Sequence, residues 1–508
     1  MNIMASKQKI CLVGWDSVIS DADIKALLRW CNVNIIPYNS DPIGDSFGPL
    51  DKLLSFATII NNAYSDGALK IIETAASVRN ENIDTREMVG LEIENIILQY
   101  TRISGDVASP FHVLTASRLL LSHYIWHIKQ ASYDAIICSK LPHLYVDYIF
   151  CIAAQLVGIP RFAIVPFRGL TRTWEEINTG VGGYFHIYDL NHYKRISVTP
   201  IKNNEGCQWY CNSNALMNLI NSFKARAEVA SLSKTPKTQY LNNLRKGQIA
   251  DRALDMNSLH DNSIVNSTVF LSNLKRSYDT NSSSFGNPKR RFLFFPLHKQ
   301  PEASTNPSAG NEWSQEEMIA RLSSICIHNN IDLLVKEHPD NFRWCLKFAH
   351  HFVKAEKFSR AAYAYSSMTR RHVCLRLLSL DSNPDAVVSH QQCIGVATTE
   401  GSTGISALIH GKAVILLGGD PWYSHHQNCM SVSEVQDIPI HLPSDKKVID
   451  NSLHELCENT CKNYILYVAR GRKAKEGDDT IGLLLASFIN NICRPSKGFR
   501  TDFKSRLK

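Results

Sequence analysis

The sequence lacks several features that assign a protein to a class at once. It has no apolar run long enough to span a bilayer. The first residues, MNIMASKQKICLVGW, lead almost directly into a strand-like run, without the apolar stretch of a signal peptide. No short internal repeat is evident. These absences argue against a transmembrane or repeat architecture and lead us to expect a cytoplasmic protein.

Cysteine is present, but not in the spacing of a metal site. The 14 cysteines are scattered, and several, such as Cys11, sit in apolar runs where a thiol behaves as a small hydrophobic group. No Cys-x-x-Cys occurs, and the pairs Cys207/Cys211 and Cys457/Cys461 have no second ligand pair at zinc-site spacing. We therefore expect structural thiols and no bound metal.

The charge balance is only mildly basic. The chain has 508 residues, a formal net charge of +8, 44% hydrophobic residues and 20% charged residues. That composition is typical of a soluble globular protein, and the length suggests two or three domains. A weak basic bias suits an anionic small substrate or an anionic membrane surface, and it does not require nucleic acid. We expect no nucleic-acid partner.

Short apolar runs alternate with amphipathic helical segments in both halves of the chain. Strand-like runs begin at Lys9 and again at Phe292, and a polar stretch rich in Ser, Asn and basic residues at 276–291 separates the two series. Alternating strands and helices predict an α/β fold with parallel sheets. The pattern also predicts a helix after Pro339. The expected division is an N-terminal domain over 1–200, a connecting region and linker over 201–290, a C-terminal domain over 291–450, and helices with a basic tail over 451–508.

The most informative stretch is 397–417, ATTEGSTGISALIHGKAVILL. It predicts the end of a buried strand, a tight turn containing Gly401 and Gly404, a helix that begins near Ser402 and Thr403, and a second buried strand. A helix N-terminus at the carboxyl end of a parallel strand is suited to bind an anion such as phosphate. An ordinary capped turn between a strand and a helix explains the stretch equally well.

Two other polar clusters follow strand ends in the same half. LHKQPEAST follows the run RFLFFP, and KEHP follows IDLLV. Because parallel strands end at one edge of a sheet, one ligand could touch all three clusters. Lys336 and a protonated His338 favour an anion, and Glu302 or Glu337 could accept hydrogen bonds from sugar hydroxyls. On its own, His338 would be no more than a helix-entry residue, but the three clusters together predict a nucleotide-phosphate site.

In the N-terminal half, the loop LPH follows the strand DAIIC and ends at His143. That position lies at the functional edge of a parallel sheet, although His143 could also simply pack within the loop. A later segment, 167–183, looks like a loop and carries Glu175 and Glu176. These three side chains are the candidates for catalysis.

The motifs resemble those of bacterial capsular and surface polysaccharide biosynthesis proteins, which include the Kdo transferases of capsule assembly. FPLHKQPEAST, LLVKEHP and EGSTGISALIHGKAVILLGGDPWY stand in the family's order and approximate spacing, and PHLYVDYIFCIAAQLVGIP extends the resemblance more weakly. The resemblance implies a GT-B glycosyltransferase fold: two Rossmann-like domains that face each other across a cleft. The donor would bind the C-terminal domain and the acceptor the N-terminal one.

The resemblance also implies roles for single residues. His338 would contact the donor phosphate, and Ser406 stands where relatives often carry a Glu that binds the donor ribose. The loop GGDPWY, which contains Asp420, either stacks its aromatic rings on a base or sugar or packs as an ordinary loop. The implied donor and phosphate positions are Gln300, Glu302, Lys336, His338, Gly401, Ser402, Thr403, Ser406 and Asp420.

The sequence therefore predicts a metal-independent glycosyltransferase that needs no cofactor. Its partners would be a nucleotide-sugar donor, with a CMP-sugar favoured, and a glycan or glycolipid acceptor. The open alternatives are transfer of a polyol phosphate from CDP-glycerol, epimerisation of a nucleotide sugar, and a non-catalytic role in assembly or export. The basic tail 494–508 could touch anionic lipid at the inner face of the plasma membrane, or it could be a solvated tail.

Overall fold

The computed structural model divides the chain into two α/β units, which are described one at a time. One unit comprises 1–213 together with 461–508, and the other comprises 214–460. The structure describes residues 7–16, 19, 21–29, 31–37, 54–65, 67–77, 85, 89–90, 92–104, 109–167, 183–191, 193–196, 213–232, 273–299, 308–310, 314–342, 345–348, 351–354, 362–438, 446–464, 466–468, 485 and 488–489.

The first unit is built on a mixed sheet whose central strands are parallel. Its strands are β1 (Gln8–Val13), β2 (Cys31–Ile36), β3 (Ala135–Cys138), β4 (Arg161–Pro166), β5 (Gly183–Asp189), β6 (Lys194–Arg195) and, numbered in chain order, β16 (Leu466–Val468). The order is β16-β5-β4-β3-β1-β2, and β6 pairs with β5. Strands β2, β1, β3 and β4 run parallel, whereas β5 is antiparallel to β4 and to β16. The ends of β1, β3 and β4 therefore share one edge.

Helices cover this sheet and contribute to its core. They are α1 (Asp21–Leu28), α2 (Phe56–Ser65), α3 (Gly67–Ser77), α4 (Ile93–Ser104), α5 (Pro110–Ala131) and α6 (Tyr145–Val157). Helix α5 buries Leu120, Tyr124 and Ile128 in the larger cluster of the unit. A second cluster contains Trp15 and, from far along the chain, Phe488.

The second unit contains a seven-stranded parallel sheet. Its strands are β7 (Ser282–Ser283), β8 (Phe292–Pro296), β9 (Asp332–Lys336), β12 (Leu375–Leu378), β13 (Cys393–Thr398), β14 (Ala413–Leu416) and β15 (Cys429–Ser431), in the order β15-β14-β13-β8-β9-β12-β7. Its central strands, such as FLFFP and CIGVAT, are apolar almost throughout and buried, as expected for parallel strands covered on both faces. A separate antiparallel hairpin joins β10 (Cys345–Phe348) to β11 (His351–Lys354).

The helices between 213 and 464 complete this part of the fold. They are α7 (Ser213–Leu232), α8 (273–281), α9 (Gln315–His328), α10 (Ala362–Arg371), α11 (Pro384–Ser389), α12 (Ser402–Ile409) and α13 (Lys446–Tyr464). Side-chain caps fix two of their starts: Ser314 Oγ accepts from Glu317 N at 3.3 Å, and Asn383 Oδ1 accepts from Asp385 N at 2.9 Å. Helix α11 follows β12, and helix α12 follows β13, so both begin at the carboxyl edge of the sheet.

The structure confirms the α/β prediction, with two Rossmann-like units in one chain. After Pro339, where the sequence predicts a helix, a 3-10 turn and the β10–β11 hairpin come first, and helix α10 begins only at Ala362. It also places Tyr278, within the expected linker 276–291, fully buried in the core of the second unit. The Tyr278 hydroxyl donates to Leu378 O, which ties helix α8 to the sheet. Within the described ranges, no helix is long and apolar enough to cross a bilayer.

Candidate functional site

The three polar clusters follow three strands that are neighbours in the second sheet. Strand β8 lies between β13 and β9, and both pairings are parallel. The residues that follow these strands, His298, His338 and the turn at Gly401, therefore lie along one edge. This is the edge at which parallel α/β sheets bind their ligands.

The main chain of His298 is held by hydrogen bonds to the side chain of Gln315. Gln315, which is 2% exposed, accepts a hydrogen bond from His298 N at 2.7 Å through Oε1. Its Nε2 donates to His298 O at 3.0 Å. Because one side-chain amide satisfies both backbone groups, His298, two residues after β8, has a fixed orientation relative to α9.

The His298 ring is held as well. Thr399 N donates to His298 Nε2 at 3.3 Å, and the hydroxyls of Thr398 and Thr399 lie 3.1 and 3.0 Å from the same nitrogen. Since a backbone N–H can only donate, Nε2 acts as an acceptor and the ring proton resides on Nδ1. Burial, reinforced by the nearby His338, lowers the pKa of His298 to about 4. His298 is therefore a neutral hydrogen-bond donor at physiological pH.

Close packing requires glycine at two positions, Gly401 just before α12 and Gly404 in its first turn. A Cβ on Gly401 would lie 2.6 Å from Thr398 Oγ1 and 3.1 Å from His298 Cε1. A Cβ on Gly404 would lie 2.5 Å from the Tyr423 hydroxyl, which donates to Gly401 O at 2.6 Å. The turn thus packs directly against His298 on one side and Tyr423 on the other.

Helix α12 begins at Ser402, with Gly401 as its N-cap residue. The expected helix start is confirmed, although the cap lies one residue earlier than Ser402. Ser402 is exposed and Thr403 is half-buried, so both hydroxyls and the first amide groups of the helix are near the surface of the edge. The positive end of the helix dipole and these N–H groups suit a phosphate.

A buried carboxylate organises the cluster after β9. Glu337, which is 1% exposed, accepts hydrogen bonds from His338 N at 2.8 Å, from Asn341 Nδ2 at 2.9 Å and from the Tyr365 hydroxyl at 2.9 Å. Burial raises the pKa of Glu337 to about 6. Glu337 therefore holds the turn that carries His338 and is not itself placed to meet a sugar hydroxyl.

Lys336 is also buried, at 4% exposed. Burial lowers its pKa to about 8, against the attraction of Glu337 and Asp381. Its ammonium adds positive charge beneath the edge at neutral pH, next to the half-buried His338.

Ser406 lies inside the unit rather than on the edge. It is 2% exposed, and its hydroxyl donates to Asp385 Oδ1 at 3.2 Å. Asp385 is half-buried in the first turn of α11. A carboxylate is thus present beside the position where relatives often carry Glu, but it comes from the neighbouring helix.

The loop after β14 packs against the turn. Gly418 has a φ of +67°, and a Cβ there would lie 2.0 Å from Ala309 O, so only glycine fits. Asp420 accepts from Ser424 Oγ at 2.7 Å, which keeps its carboxylate within its own loop. Tyr423 is fully buried, so of the two aromatic rings only the half-buried Trp422 could meet a ligand.

In the first unit, His143 follows β3 as expected. Its Nδ1 lies 2.6 Å from Leu141 O, and because a carbonyl only accepts, Nδ1 carries the proton. Nε2 of the neutral ring is then the nitrogen that can accept one, as a general base requires. At the same strand end, burial lowers the pKa of Lys140, against the attraction of Asp147 and Asp16.

Four predicted residues lie outside the described residues: Glu175, Glu176, Gln300 and Glu302. The basic tail 494–508 also lies outside them. Among the residues that are described, no three His, Cys, Asp or Glu side chains form a cluster that could hold a metal ion.

Sequence reasoning gave too little weight to two residues of this edge. His298 stands two residues after the end of a strand, as His338 does, and that shared position was the available signal. Asp385 had no such signal, because its proximity to Ser406 depends on how α11 packs beside α12.

The fold and this edge define a two-domain protein of the Rossmann-like α/β class, to which GT-B proteins belong. Residues 221–467 match the family model described as capsule polysaccharide biosynthesis protein. That span contains all three strand-end clusters, and the resemblance expected from the motifs is confirmed over it. A search of curated proteins gave no match.

Similar solved structures include two from Thermosulfurimonas dismutans. One is KpsC, beta Kdo 2,7 transferase, with 16% identity over 43% of this chain and 56% of that chain, at a TM-score of 0.23. The other is KpsC, beta Kdo 2,4 transferase, with 11% identity over 65% of this chain and 84% of that chain, at a TM-score of 0.27. A third is UDP-GlcNAc 2-epimerase from Methanocaldococcus jannaschii, with 9% identity over 95% of this chain and 99% of that chain, at a TM-score of 0.24. TM-scores this low carry no structural weight, and the fold assignment rests on the two sheets themselves.

Proposed function

We propose that this protein is a glycosyltransferase of capsular or other surface polysaccharide biosynthesis. It would take a sugar from a nucleotide-activated donor, with a CMP-sugar favoured, and pass it to a growing glycan. The observation that carries the proposal is the carboxyl edge of the second sheet, where His298, His338 and the start of α12 follow three adjacent parallel strands. The family match over the same residues supports it.

The edge would act on the leaving nucleotide phosphate. As the bond between the anomeric carbon and the phosphate oxygen breaks, its electron pair stays on the phosphate. Amide groups at the start of α12, with Ser402 and Thr403, are suited to stabilise that charge, and Lys336 and His338 add positive charge. Because these groups are fixed before the ligand arrives, little reorganisation is needed in the transition state.

His298 would contribute a hydrogen bond rather than a charge. Its pKa of about 4 keeps the ring neutral, and the three groups on Nε2 leave Nδ1–H as the donor. A neutral donor stabilises phosphate oxygens without titrating in the physiological range.

In the first unit, His143 is our candidate for the group that takes the proton of the acceptor hydroxyl. Its Nδ1 donates to Leu141 O, which orients the ring and leaves Nε2 as the basic nitrogen. Glu175 and Glu176 remain candidates from sequence for the same step.

Asp385 would recognise the donor ribose in place of the Glu that relatives often carry. Its carboxylate is half-buried, is fixed through Oδ1 by Ser406, and stands at the start of α11 on the same edge. A carboxylate can accept hydrogen bonds from both hydroxyls of a ribose.

The proposal is tested by calorimetric binding of CMP, CDP and UDP to the wild-type protein and to His338→Ala. We expect one nucleotide to bind and the substitution to weaken it about tenfold, the loss of one charge-assisted contact. His454→Ala, which removes an exposed histidine of α13, is the matched control and should bind as the wild type does. Absence of binding by all three nucleotides at millimolar concentration would overturn the donor site and favour a non-catalytic assembly role.

Product analysis separates the enzymatic alternatives. Turnover of CDP-glycerol with phosphate entering the product would indicate a polyol-phosphate transferase. Conversion of a nucleotide sugar without any acceptor would indicate an epimerase. Transfer of the sugar alone, with release of the free nucleotide, is the expected result.

Membrane contact through 494–508 stays a prediction. This segment carries six basic residues against one acid: Arg494, Lys497, Arg500, Lys504, Arg506 and Lys508 against Asp502. We expect full-length protein, but not a chain ending at Ile492, to sediment with vesicles containing anionic lipid. Equal sedimentation of both would remove the tail from the proposal.

A further inference from the structure

A cavity lies in the first unit, away from the edge that carries His143. Its volume is about 320 Å³, which is at the lower end of the volumes of small-molecule sites. It is bounded by the start of β1, by β2, and by the end of α5 with the residues that follow it. These are the amino ends of the parallel strands, whereas His143 follows the carboxyl end of β3.

The sequence of β2 is unusual at this place. In CNVNII, positions 32, 34 and 36 share one face of the strand because side chains alternate. Ile36 is buried on that face in the same core cluster as α5, but the other two positions are Asn32 and Asn34, and both line the cavity. Asn32 is exposed and Asn34 half-buried at this edge strand, so two carboxamides on one face are open to a polar ligand from solvent.

The polar lining is organised around Tyr133, which is only 4% exposed. Asn34 Nδ2 donates to its hydroxyl at 3.2 Å, and His127 Nε2 lies 3.3 Å from the same oxygen. These contacts join β2, the last turns of α5 and Tyr133, which lies two residues before β3. The positions of the amide and the imidazole are therefore set before any ligand binds.

The end of α5 does not repel an anion as a bare helix C-terminus would. Ile128 O accepts from Ser132 N at 2.9 Å, Lys129 O accepts from Ser132 Oγ at 3.0 Å, and Ala131 O accepts from Lys9 Nζ at 3.4 Å. Three of the last four carbonyls of α5 are thus engaged, and an ammonium lies beside the last of them. Lys9 also lines the cavity.

The chemistry of the lining identifies a ligand class. The lining combines carboxamides, a phenol, an imidazole and an ammonium with the indole of Trp126. The neighbouring carboxylate, Asp134, is engaged by the main chain, since its Oδ2 accepts from Lys9 N at 2.9 Å. Amides and phenols pair with hydroxyls in both directions, an indole face packs on the C–H face of a sugar ring, and an ammonium pairs with a carboxylate. We propose that this cavity binds an acidic sugar residue of a glycan, as a second carbohydrate site separate from the transfer reaction.

The test is saturation-transfer NMR with calorimetry, using trigalacturonate and disialic acid as acidic probes and maltotriose as a neutral one. We expect the acidic probes to bind the wild-type protein with millimolar or better affinity and maltotriose to bind more weakly. Trp126→Ala should weaken the acidic probes about tenfold, the loss expected on removing the indole stacking surface. Phe111→Ala, which removes an exposed ring at the other end of the same helix, is the matched control and should change nothing.

The Asn32→Asp variant tests the proposal independently, in case Trp126→Ala does not fold. This exposed position gains a carboxylate with no change of shape, so binding of the acidic probes should fall while maltotriose binding is unchanged. No binding of either acidic probe, or equal binding by Trp126→Ala, would overturn the proposal. Binding of CMP, CDP and UDP to the same samples keeps the outcomes separate: binding of one nucleotide without acidic sugar defeats only this inference, and acidic-sugar binding with none of the three nucleotides bound defeats only the donor site.

Discussion

At the residue scale, hydrogen bonds fix the protonated nitrogen of two candidate histidines, one in each unit. Three groups converge on His298 Nε2. Burial lowers the pKa of the ring to about 4, so the ring is neutral above that pH. His143 is fixed in the same Nδ1–H form by Leu141 O. Both rings thus carry a proton on Nδ1, which sets what each could donate in the proposed reaction.

We predict that His298 stays in the Nδ1–H form from pH 8 to pH 5. Its folded pKa lies below the ordinary value of 6.5, so the neutral ring persists where an exposed histidine becomes charged. Selective ¹⁵N-histidine NMR should show one resonance pair with this pattern and no titration in that range, assigned by its loss in His298→Gln. A midpoint near the ordinary value would contradict the geometry.

We predict that Glu337 makes the protein less stable as the pH rises from about 4.5 to about 6. Its folded pKa is about 6 against 4.5. Between those values the native carboxyl keeps a proton that the unfolded chain has lost, so the free energy of unfolding falls by about 2 kcal/mol. Glu337→Gln should abolish this slope in denaturation measured at several pH values, whereas Glu317→Gln, an exposed carboxyl of α9, should retain it. The pKa of Lys336 is lowered from 10.5 to about 8, so Lys336 changes the free energy of unfolding only in a separate, alkaline pH range.

At the element scale, the site is a set of strand ends tied to helix starts. Gln315 of α9 fixes His298, Glu337 fixes the turn after β9, and Tyr423 fixes Gly401 before α12. These contacts come from a helix, from within the same turn and from a neighbouring loop. The loops are therefore positioned by specific side chains as well as by the strands that they follow.

We predict that Gly401→Ala damages the site more than it damages the fold. The φ of Gly401 is −71°, which any residue adopts, so the obstacle is space alone. A Cβ 2.6 Å from Thr398 Oγ1 and 3.1 Å from His298 Cε1 must displace the histidine. We expect about 1–3 kcal/mol of lost stability from overpacking, and nucleotide affinity at least about tenfold lower by calorimetry. Gly286→Ala, where a Cβ meets nothing within 4 Å, should leave both quantities unchanged.

At the scale of the whole molecule, the first unit is discontinuous in sequence. Strand β16 pairs with β5, and Leu485, Phe488 and Ile489 pack in the cluster that contains Trp15. The rings of Phe162 and Phe488 meet edge to face at 5.4 Å. The first unit therefore needs residues from beyond the second unit to complete its core.

We predict that Phe488→Ala destabilises the first unit by about 3–5 kcal/mol, the cost of removing a buried ring. Chemical denaturation should show the loss, while nucleotide binding by the second unit persists at low denaturant. Phe111→Ala removes a ring that is 71% exposed in the same unit and should cost little. Equal effects of the two substitutions would contradict the packing of the C-terminal segment against Trp15.

The sequence by itself determined the strand-and-helix alternation, the helix start at Ser402 and the order of the three polar clusters, because buried parallel strands are continuous apolar runs and turns need particular residues. It did not reveal β5 and β16 as antiparallel partners, since their pairing joins residues almost three hundred positions apart. Only the tertiary structure decided that Tyr423 is buried, that Ser406 faces Asp385 and that Asn34 faces Tyr133. Each of these contacts depends on which elements become neighbours, and local sequence carries no record of distant neighbours.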